Sequence, residues 1–305
     1  MKNSFPSPPL YKQLGVKKIF QKYKKALEIW EKCALCPRSC GANRFSGETG
    51  ECGADHRLVI ANYGPHYGEE SVLVGNRGSG TIFFVYCNLY CIFCQNWTIS
   101  RGKEKGETVS AEKLAHIMLT LQTMGCHNIN LVTPTPHIPL ILSAIGQAVE
   151  EGLELPIVYN CGGYESPEVL TLLDGIIDIY MPDCKYGNSE IAFEYSGVPN
   201  YTEFMKLSLK EMQRQVGDLQ TDKNGIAYRG LLTRHLVLPN EIAGTEEIIR
   251  FLANEISPQC AINVMDQYYP SFLAEKYPHV SRRTGRQEFL KAKKLVQKAG
   301  LQIIN

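Results

Sequence analysis

The sequence predicts an α/β fold in which a largely parallel sheet is covered by helices. Two observations carry this prediction. After residue 80, continuous apolar runs of strand length alternate with stretches of helical periodicity, as in βαβ units whose strands are buried on both faces. Apolar residues make up 44% of the 305 residues, which is enough for a substantial core. A doubly wound sheet and a barrel both fit this pattern, and periodicity alone does not separate them.

Residues 1–80 differ in character from the rest of the chain. The segment 10–32 predicts one amphipathic helix whose apolar stripe reaches Trp30. From 33 to 80 the chain is rich in glycine and poor in periodic apolar runs, so we expect loops there. We therefore expect an N-terminal helix with a cysteine-rich, metal-binding extension, followed by an α/β domain over 81–305.

The α/β part alternates six predicted strands with helices. The strands are predicted at 81–87, 128–133, 156–160, 176–181, 231–238 and 261–265. The helices between them are predicted at 110–124, 137–151, 166–173, 188–215 and 245–256. Thr284 and Gln287 have the spacing of a capping box and predict a last helix that ends at Gly300.

Composition excludes several classes of protein. The formal net charge is +1, so no global charge attracts the chain to nucleic acid or anionic lipid. The uncharged stretch 114–149 is interrupted by prolines and polar residues, so we expect buried core there and no membrane span. The first ten residues lack the apolar region of a signal peptide, which predicts a cytoplasmic protein.

The cysteines predict metal chemistry. The chain has 11 cysteines, and most of them occur at short spacings between residues 33 and 94. In a cytoplasmic protein such spacing favours metal or iron–sulfur ligation over disulfides.

The most informative group is Cys87, Cys91 and Cys94, directly after the first predicted strand. Three thiolates can hold a [4Fe-4S] cluster, which has four irons, and one iron then stays open. An open iron is useful to an enzyme that binds a substrate or cofactor there, whereas an electron carrier gains nothing from it. The alternative is three buried apolar cysteines in the core.

A second group consists of Cys33, Cys36, Cys40 and Cys52. Four thiolates suffice for a structural zinc ion or for a closed iron–sulfur cluster, and spacing alone does not choose between them. Since the intervening segment is poor in core residues, a metal is expected to stabilise it.

The Cys87 loop, in which Phe93 is an aromatic residue directly before the third cysteine, resembles the signature loop of radical S-adenosylmethionine (SAM) enzymes. The resemblance implies a partial (β/α)6 barrel of the radical SAM type, with this loop after the first strand. It also implies that SAM chelates the open iron, and that an electron from the cluster cleaves SAM to a 5′-deoxyadenosyl radical that abstracts hydrogen.

Further segments resemble pyruvate formate-lyase activating enzyme and its PflX-like relatives, which points to glycyl-radical-enzyme activases. These segments are CALCPRSCG, GETGECG, HYGEE, SGTIFFVYCNLYCIFCQN, NLVTPTPH, YMPDCKY, RHLVLP and NVMDQYYP. They span most of residues 33–270.

The resemblance also implies site residues after the later strands, where barrel active sites lie. Asp183 and Lys185 match the activase D-x-K motif and are expected at the methionyl end of SAM, the alternative being an exposed ion pair. Thr133, Asn160 and Phe93 are expected to contact the cofactor, although the activase Gly-Gly-Glu-like segment is replaced here by 133-TPTPH-137. Arg234 matches the activase RHxxxP run and is a further catalytic candidate, and since side chains alternate along a strand, His235 should face away from it.

The resemblance therefore implies a radical SAM enzyme that is reduced by a protein such as flavodoxin or ferredoxin and acts on a glycyl radical enzyme. The alternatives are radical modification of a peptide or small molecule, and a non-catalytic iron–sulfur electron carrier. His66, Glu69 and Glu70 match the HxGEE pattern. Two interpretations of these residues stay open, a surface loop and a shell around the metal of the early cysteines.

Overall fold

The strands form one sheet in the computed structural model, which describes residues 5–103 and 106–304. In chain order they are β1 (Leu58–His66), β2 (Ser79–Phe84), β3 (Glu107–Val109), β4 (Ile129–Val132), β5 (Ile157–Cys161), β6 (Ile179–Pro182), β7 (Gln220–Thr221), β8 (Ala227–Leu236), β9 (Ala261–Met265) and β10 (Gln302–Ile303). All six predicted strands are confirmed, as β2, β4, β5, β6, β8 and β9.

The order of these six strands settles the architecture that periodicity left open. They lie side by side in the order β2-β4-β5-β6-β8-β9 and pair in parallel. A doubly wound sheet reverses direction at a switch point, and this order has no reversal. Within the described residues the sheet ends at β3 on one side and at β10 on the other. The fold is therefore a partial (β/α)6 barrel.

The helices cover this sheet. They are α1 (Leu10–Leu14), α2 (Val16–Glu28), α3 (Ser71–Val74), α4 (Trp97–Ser100), α5 (Ala111–Thr123), α6 (Ile138–Glu150), α7 (Pro167–Leu173), α8 (Ser189–Ser196), α9 (Tyr201–Val216), α10 (Thr245–Phe251) and α11 (Arg286–Ala299). Ser110 and Ser166 cap α5 and α7 with their side chains. None of the described helices is long and apolar enough to cross a membrane.

Three helix predictions need correction. The helix expected at 10–32 is divided at Gly15, whose φ is +82°. The helix expected at 188–215 is two helices, because the chain turns at Gly197 and at Asn200, both in the left-handed region. The last helix does end before Gly300, but its N-terminal carboxylate partner is Glu288, which accepts a hydrogen bond from the Gly285 N–H at 2.6 Å.

The segment expected to be loops contains a strand. β1 pairs antiparallel with β2 and, at its start, with β3. Its second half includes Gly64 and Pro65 and is mostly exposed, so it lacks the apolar alternation that marks a strand in the sequence. β1 is the element that carries the chain from the cysteine-rich region to His66.

The N-terminal helix packs on the barrel. Phe20 of α2 lies against Gly146 of α6, where a Cβ would come within 2.9 Å of its ring. Trp30 and Leu35 belong to the same apolar core as the barrel strands. The N-terminal extension and the barrel therefore share one core. The domain boundary expected between residues 80 and 81 falls inside β2.

Candidate active site

A cavity of about 380 Å³ opens at the carboxyl ends of the parallel strands. The residues that line it come from successive strands: Cys87 after β2, Thr133 after β4, Asn160 from β5, Asp183 after β6 and Arg234 from β8. This is the end of a βα barrel where active sites lie. The fold therefore brings together residues that are far apart in the sequence.

The three cysteines of the Cys87 loop all line this cavity. The loop begins at Tyr86, which has a φ of +77°, a conformation that is uncommon outside glycine and is often found at functional sites. The backbone N–H groups of Tyr90 and Ile92 donate to carbonyl groups at the end of α8, at 3.0 and 2.9 Å. These two bonds hold the loop against the end of α8.

The sulfur atoms of this loop accept several hydrogen bonds. Ser196 Oγ lies 3.0 Å from Cys91 Sγ, Ser100 Oγ lies 3.5 Å from Cys94 Sγ, and the Leu89 N–H lies 3.4 Å from Cys87 Sγ. Burial raises the pKa of the Cys91 thiol, and the ammonium of Lys185 opposes that rise. Hydrogen bonds to cluster sulfur set the reduction potential of iron–sulfur centres.

Three thiols in one loop are donors of the kind that hold an iron–sulfur cluster. Within residues 5–103 and 106–304, no three His, Cys, Asp or Glu side chains are close enough together to hold one metal ion. A [4Fe-4S] cluster binds each thiolate through a different iron, so its ligands need not converge on one point. The C-x3-C-x2-C spacing of the triplet in the sequence suits such a cluster.

Asp183 and Lys185 form an ion pair inside the cavity, with Lys185 Nζ 2.5 Å from Asp183 Oδ2. Their side chains are only 24% and 18% exposed, so the pair is not a solvated surface contact. Burial alone would lower the pKa of Lys185, but Asp183 and the thiol of Cys91 outweigh it, and the pKa is raised. The lysine therefore keeps its charge beside the cysteine loop.

The backbone around this pair is tightly packed. Tyr201 Oη lies 2.9 Å from the carbonyl oxygens of both Gly162 and Asp183, and it accepts the Lys185 N–H at 3.0 Å. Gly163 has a φ of +77°, and a Cβ there would lie 2.2 Å from the Asp183 carbonyl oxygen. Glycine at 163 lets the β5 exit approach the β6 exit.

Gly163→Ala is therefore expected to destabilise the protein strongly. Gly217 is the matched control, since its φ is +69° and nothing lies within 4 Å of a Cβ placed there. Gly217→Ala should cost about 1 kcal/mol of unfolding free energy for backbone strain. Gly163→Ala should cost about 1–3 kcal/mol more, because the added methyl group has no space. Urea unfolding measures both, and equal losses would refute the close approach.

Thr133 and Asn160 are adjacent on the cavity wall. Thr133 has a φ of +58°, which is rare for a β-branched residue, and its N–H donates to the Asn160 carbonyl at 2.8 Å. The other polar residues of 133-TPTPH-137 point elsewhere. Thr135 donates to Glu165, and His137 Nε2 lies 2.9 Å from the Val85 carbonyl oxygen.

Glu165 is a buried residue that sequence reasoning missed. Thr135 and Tyr159 donate to its carboxyl group at 2.9 and 3.1 Å. Burial raises its pKa to about 7. It lies behind the cavity, and neither periodicity nor a motif marked it.

Arg234 lies in a network with the HxGEE residues. Its guanidinium donates twice to Glu70, at 2.7 Å each, and once to Glu69, at 2.5 Å. Asn263 of β9 donates to Glu70 at 2.8 Å, and His66 Nδ1 lies 2.9 Å from Glu69 Oε1. His66, Glu69 and Glu70 thus line the cavity, Glu70 as a buried residue and His66 with an exposed side chain.

This network joins the two sides of the barrel. Burial would raise the pKa of Glu70, but Arg234 and Asn263 outweigh it, so the pKa is lowered and the group stays a carboxylate. His235 faces away from the cavity, as alternation predicts, and contacts Cys184 and Thr245. We call the set Glu69, Glu70, Arg234 and Asn263 the carboxylate bridge.

Phe93 does not line the cavity. It is buried behind the loop, with its ring centroid 5.7 Å from that of Tyr268 and 6.3 Å from that of Tyr186. In this position the Phe93 ring packs against Tyr186 and Tyr268. The contact with the cofactor expected of Phe93 stays a prediction.

A curated protein and several solved structures are similar to this chain. The chain is 32% identical over 291 residues to an uncharacterized protein of Methanocaldococcus jannaschii, covering 92% of this chain and 78% of that protein. Among solved structures, a radical SAM methyltransferase from Sphaerobacter thermophilus has a TM-score of 0.49 at 13% identity, over 81% of this chain and 76% of that one. Methylornithine synthase has a TM-score of 0.49 at 15% identity, over 71% and 60%.

The family comparison is decisive. The model of the Radical SAM superfamily matches residues 81–252, which is more than half of the chain and includes the cysteine loop and the strands from β4 to β8. Because the match covers more than half of the chain, the protein belongs to the Radical SAM superfamily.

Proposed function

We propose that this protein cleaves SAM reductively and uses the resulting 5′-deoxyadenosyl radical to abstract a hydrogen atom. Membership of the superfamily implies a [4Fe-4S] cluster and SAM. The observation that carries the proposal is the meeting of three cluster cysteines and a buried ion pair in one cavity. The cluster supplies the electron, which a reductant such as flavodoxin or ferredoxin provides, and the C5′–S bond of SAM breaks to release methionine.

The ion pair suits the methionyl end of SAM. That end carries an ammonium and a carboxylate, and Asp183 and Lys185 offer the complementary charges side by side. The ammonium of Lys185 opposes the rise in the pKa of the Cys91 thiol. This supports a position of the ion pair close to the cluster. Thr133 and Asn160, on the neighbouring wall, are proposed to contact the same cofactor.

The carboxylate bridge favours a small substrate or a peptide end. Glu70 follows β1, which lies beside β2, the first strand of the barrel. Its carboxylate accepts hydrogen bonds from Arg234 on β8 and from Asn263 on β9, the last two strands of the barrel. The bridge therefore crosses the cavity between the two sides of the open barrel, where a folded partner would otherwise insert a loop. Arg234 is proposed to contact this substrate, because it lines the cavity.

Activation of a glycyl radical enzyme is the second candidate. The segments from 33 to 270 that resemble the activases support it, and the bridge would then have to open for the partner's glycine loop. A non-catalytic electron carrier is the least favoured, since the cysteine loop leaves one iron open.

Deuterium transfer identifies the donor. Cells are grown in deuterated medium, and their extract is divided into a small-molecule fraction and a protein fraction. The reduced protein is incubated with unlabelled SAM and each fraction, and 5′-deoxyadenosine is analysed by mass spectrometry. We expect deuterium in 5′-deoxyadenosine from the small-molecule fraction. Transfer from the protein fraction alone would replace this proposal by the glycyl-radical one, and transfer from neither would refute hydrogen abstraction.

A further inference from the structure

Arg44 is a buried cation without an anionic partner among the described residues. It is 2% exposed. Its guanidinium donates to the carbonyl oxygens of Asp55 and Pro136, at 3.2 and 3.1 Å, and to Cys52 Sγ at 3.3 Å. Its Nε has no hydrogen-bond partner within the described residues. A buried charge without a counter-charge is strongly unfavourable, so an anion is expected beside Arg44.

The cysteines of the N-terminal extension surround this guanidinium. Cys33 and Cys52 both lie beside it. A Cβ placed on Gly50 would be 3.2 Å from Cys40 Sγ, 3.6 Å from Cys52 Sγ and 3.2 Å from Arg44 Nη2. The chain at Gly50 therefore approaches two sulfurs and the cation closely, with no side chain between them.

Cys36 is the remaining cysteine of the C-x2-C-x3-C-x11-C spacing, and burial raises the pKa of its thiol, with smaller contributions from Cys52 and Cys33. All four cysteines are free thiols. Neutral thiols would leave the charge of Arg44 uncompensated. Four thiolates around a dication carry two net negative charges, which would compensate it.

We propose that Cys33, Cys36, Cys40 and Cys52 hold a second iron–sulfur cluster, whose negative charge is balanced by Arg44. A zinc ion held by the four thiolates would also compensate the charge of Arg44. Zinc requires its ligands to converge on one ion at about 2.3 Å, and within the described residues no three such side chains do so. A four-iron cluster binds each thiolate through a different iron, so it does not require that convergence. The inference is independent of SAM cleavage.

The first test uses metal analysis. The full-length triple variant Cys87→Ala/Cys91→Ala/Cys94→Ala is produced and purified without oxygen, and iron, sulfide and zinc are measured. We expect about four iron and four sulfide per chain in this variant, and about eight of each in the parent. Adding Cys33→Ser and Cys52→Ser should remove the remaining iron. One zinc per chain with no iron, or no metal at all, would overturn the proposal, and the parent's iron content decides the question if the triple variant fails to fold.

The second test concerns Arg44. In the triple-variant background, Arg44→Met should make the cluster harder to reduce, because a positive charge beside it is removed. Arg44→Lys keeps the charge and should restore most of the reduction potential. Arg57→Met is the matched control, since Arg57 is exposed and pairs with Asp55. Redox titration followed by visible absorption measures this, and equal potentials in all four proteins would contradict the role of Arg44.

Discussion

Alanine at Cys87, Cys91 or Cys94 is expected to abolish SAM cleavage. Two thiolates do not hold a [4Fe-4S] cluster with a single open iron, so each variant should fall to the rate measured without protein. Cys126→Ala is the matched control, because Cys126 is buried in the core and does not line the cavity. Formation of 5′-deoxyadenosine by the reduced protein is the measurement.

The control also separates loss of the cluster from loss of the fold. All four variants should show the same helical content by circular dichroism, and only Cys126→Ala should keep the parent's rate. Turnover retained in any variant of the triplet would refute that cysteine's assignment as a ligand.

Weaker SAM binding is expected when the buried ion pair is altered. Asp183→Asn and Lys185→Met each remove one charge with little change of shape. Each should weaken binding by about 1–3 kcal/mol, which is about 5- to 150-fold in dissociation constant. Equilibrium dialysis with labelled SAM measures this, and iron content should not change.

The pair is buried, so each single variant also leaves one charge without its partner. The double variant Asp183→Asn/Lys185→Met removes both charges, and the double-mutant cycle isolates the contribution of the pair. Lys210→Met is the control for an exposed ion pair, since Lys210 contacts Glu255 on the surface. If the altered proteins bind SAM like the parent, the ion pair has no part in the cofactor site.

The parallel strands and their helices could be predicted from the sequence because their local patterns agree with their burial. β5, for example, is buried at all of its residues. Its sequence is a continuous apolar run apart from Asn160. β1 could not be predicted, because its second half is mostly exposed and lacks the alternation of apolar and polar residues that marks a strand in the sequence. It is held there by antiparallel pairing with β2. The break between α8 and α9 was missed because it depends on left-handed residues in a segment with otherwise helical periodicity.

The candidate site was predictable where a motif is local. Cys87, Cys91 and Cys94 occur in eight residues, and Asp183 and Lys185 are two residues apart. The contact of Glu70 with Arg234 joins residues 164 positions apart, and no pattern in the sequence reports such a distance. Arg44 was missed for the same reason, since only the fold shows that it donates to carbonyl oxygens and a sulfur and to no carboxylate of the described residues.

Reductive cleavage of SAM by the parent protein tests the central claim most directly. Protein purified without oxygen, with its full iron content, is reduced and given SAM, and 5′-deoxyadenosine and methionine are quantified. We predict that the two products form in equal amounts, and only when the reductant is present. Recovery of intact SAM from a fully loaded and reduced protein would contradict the proposed function.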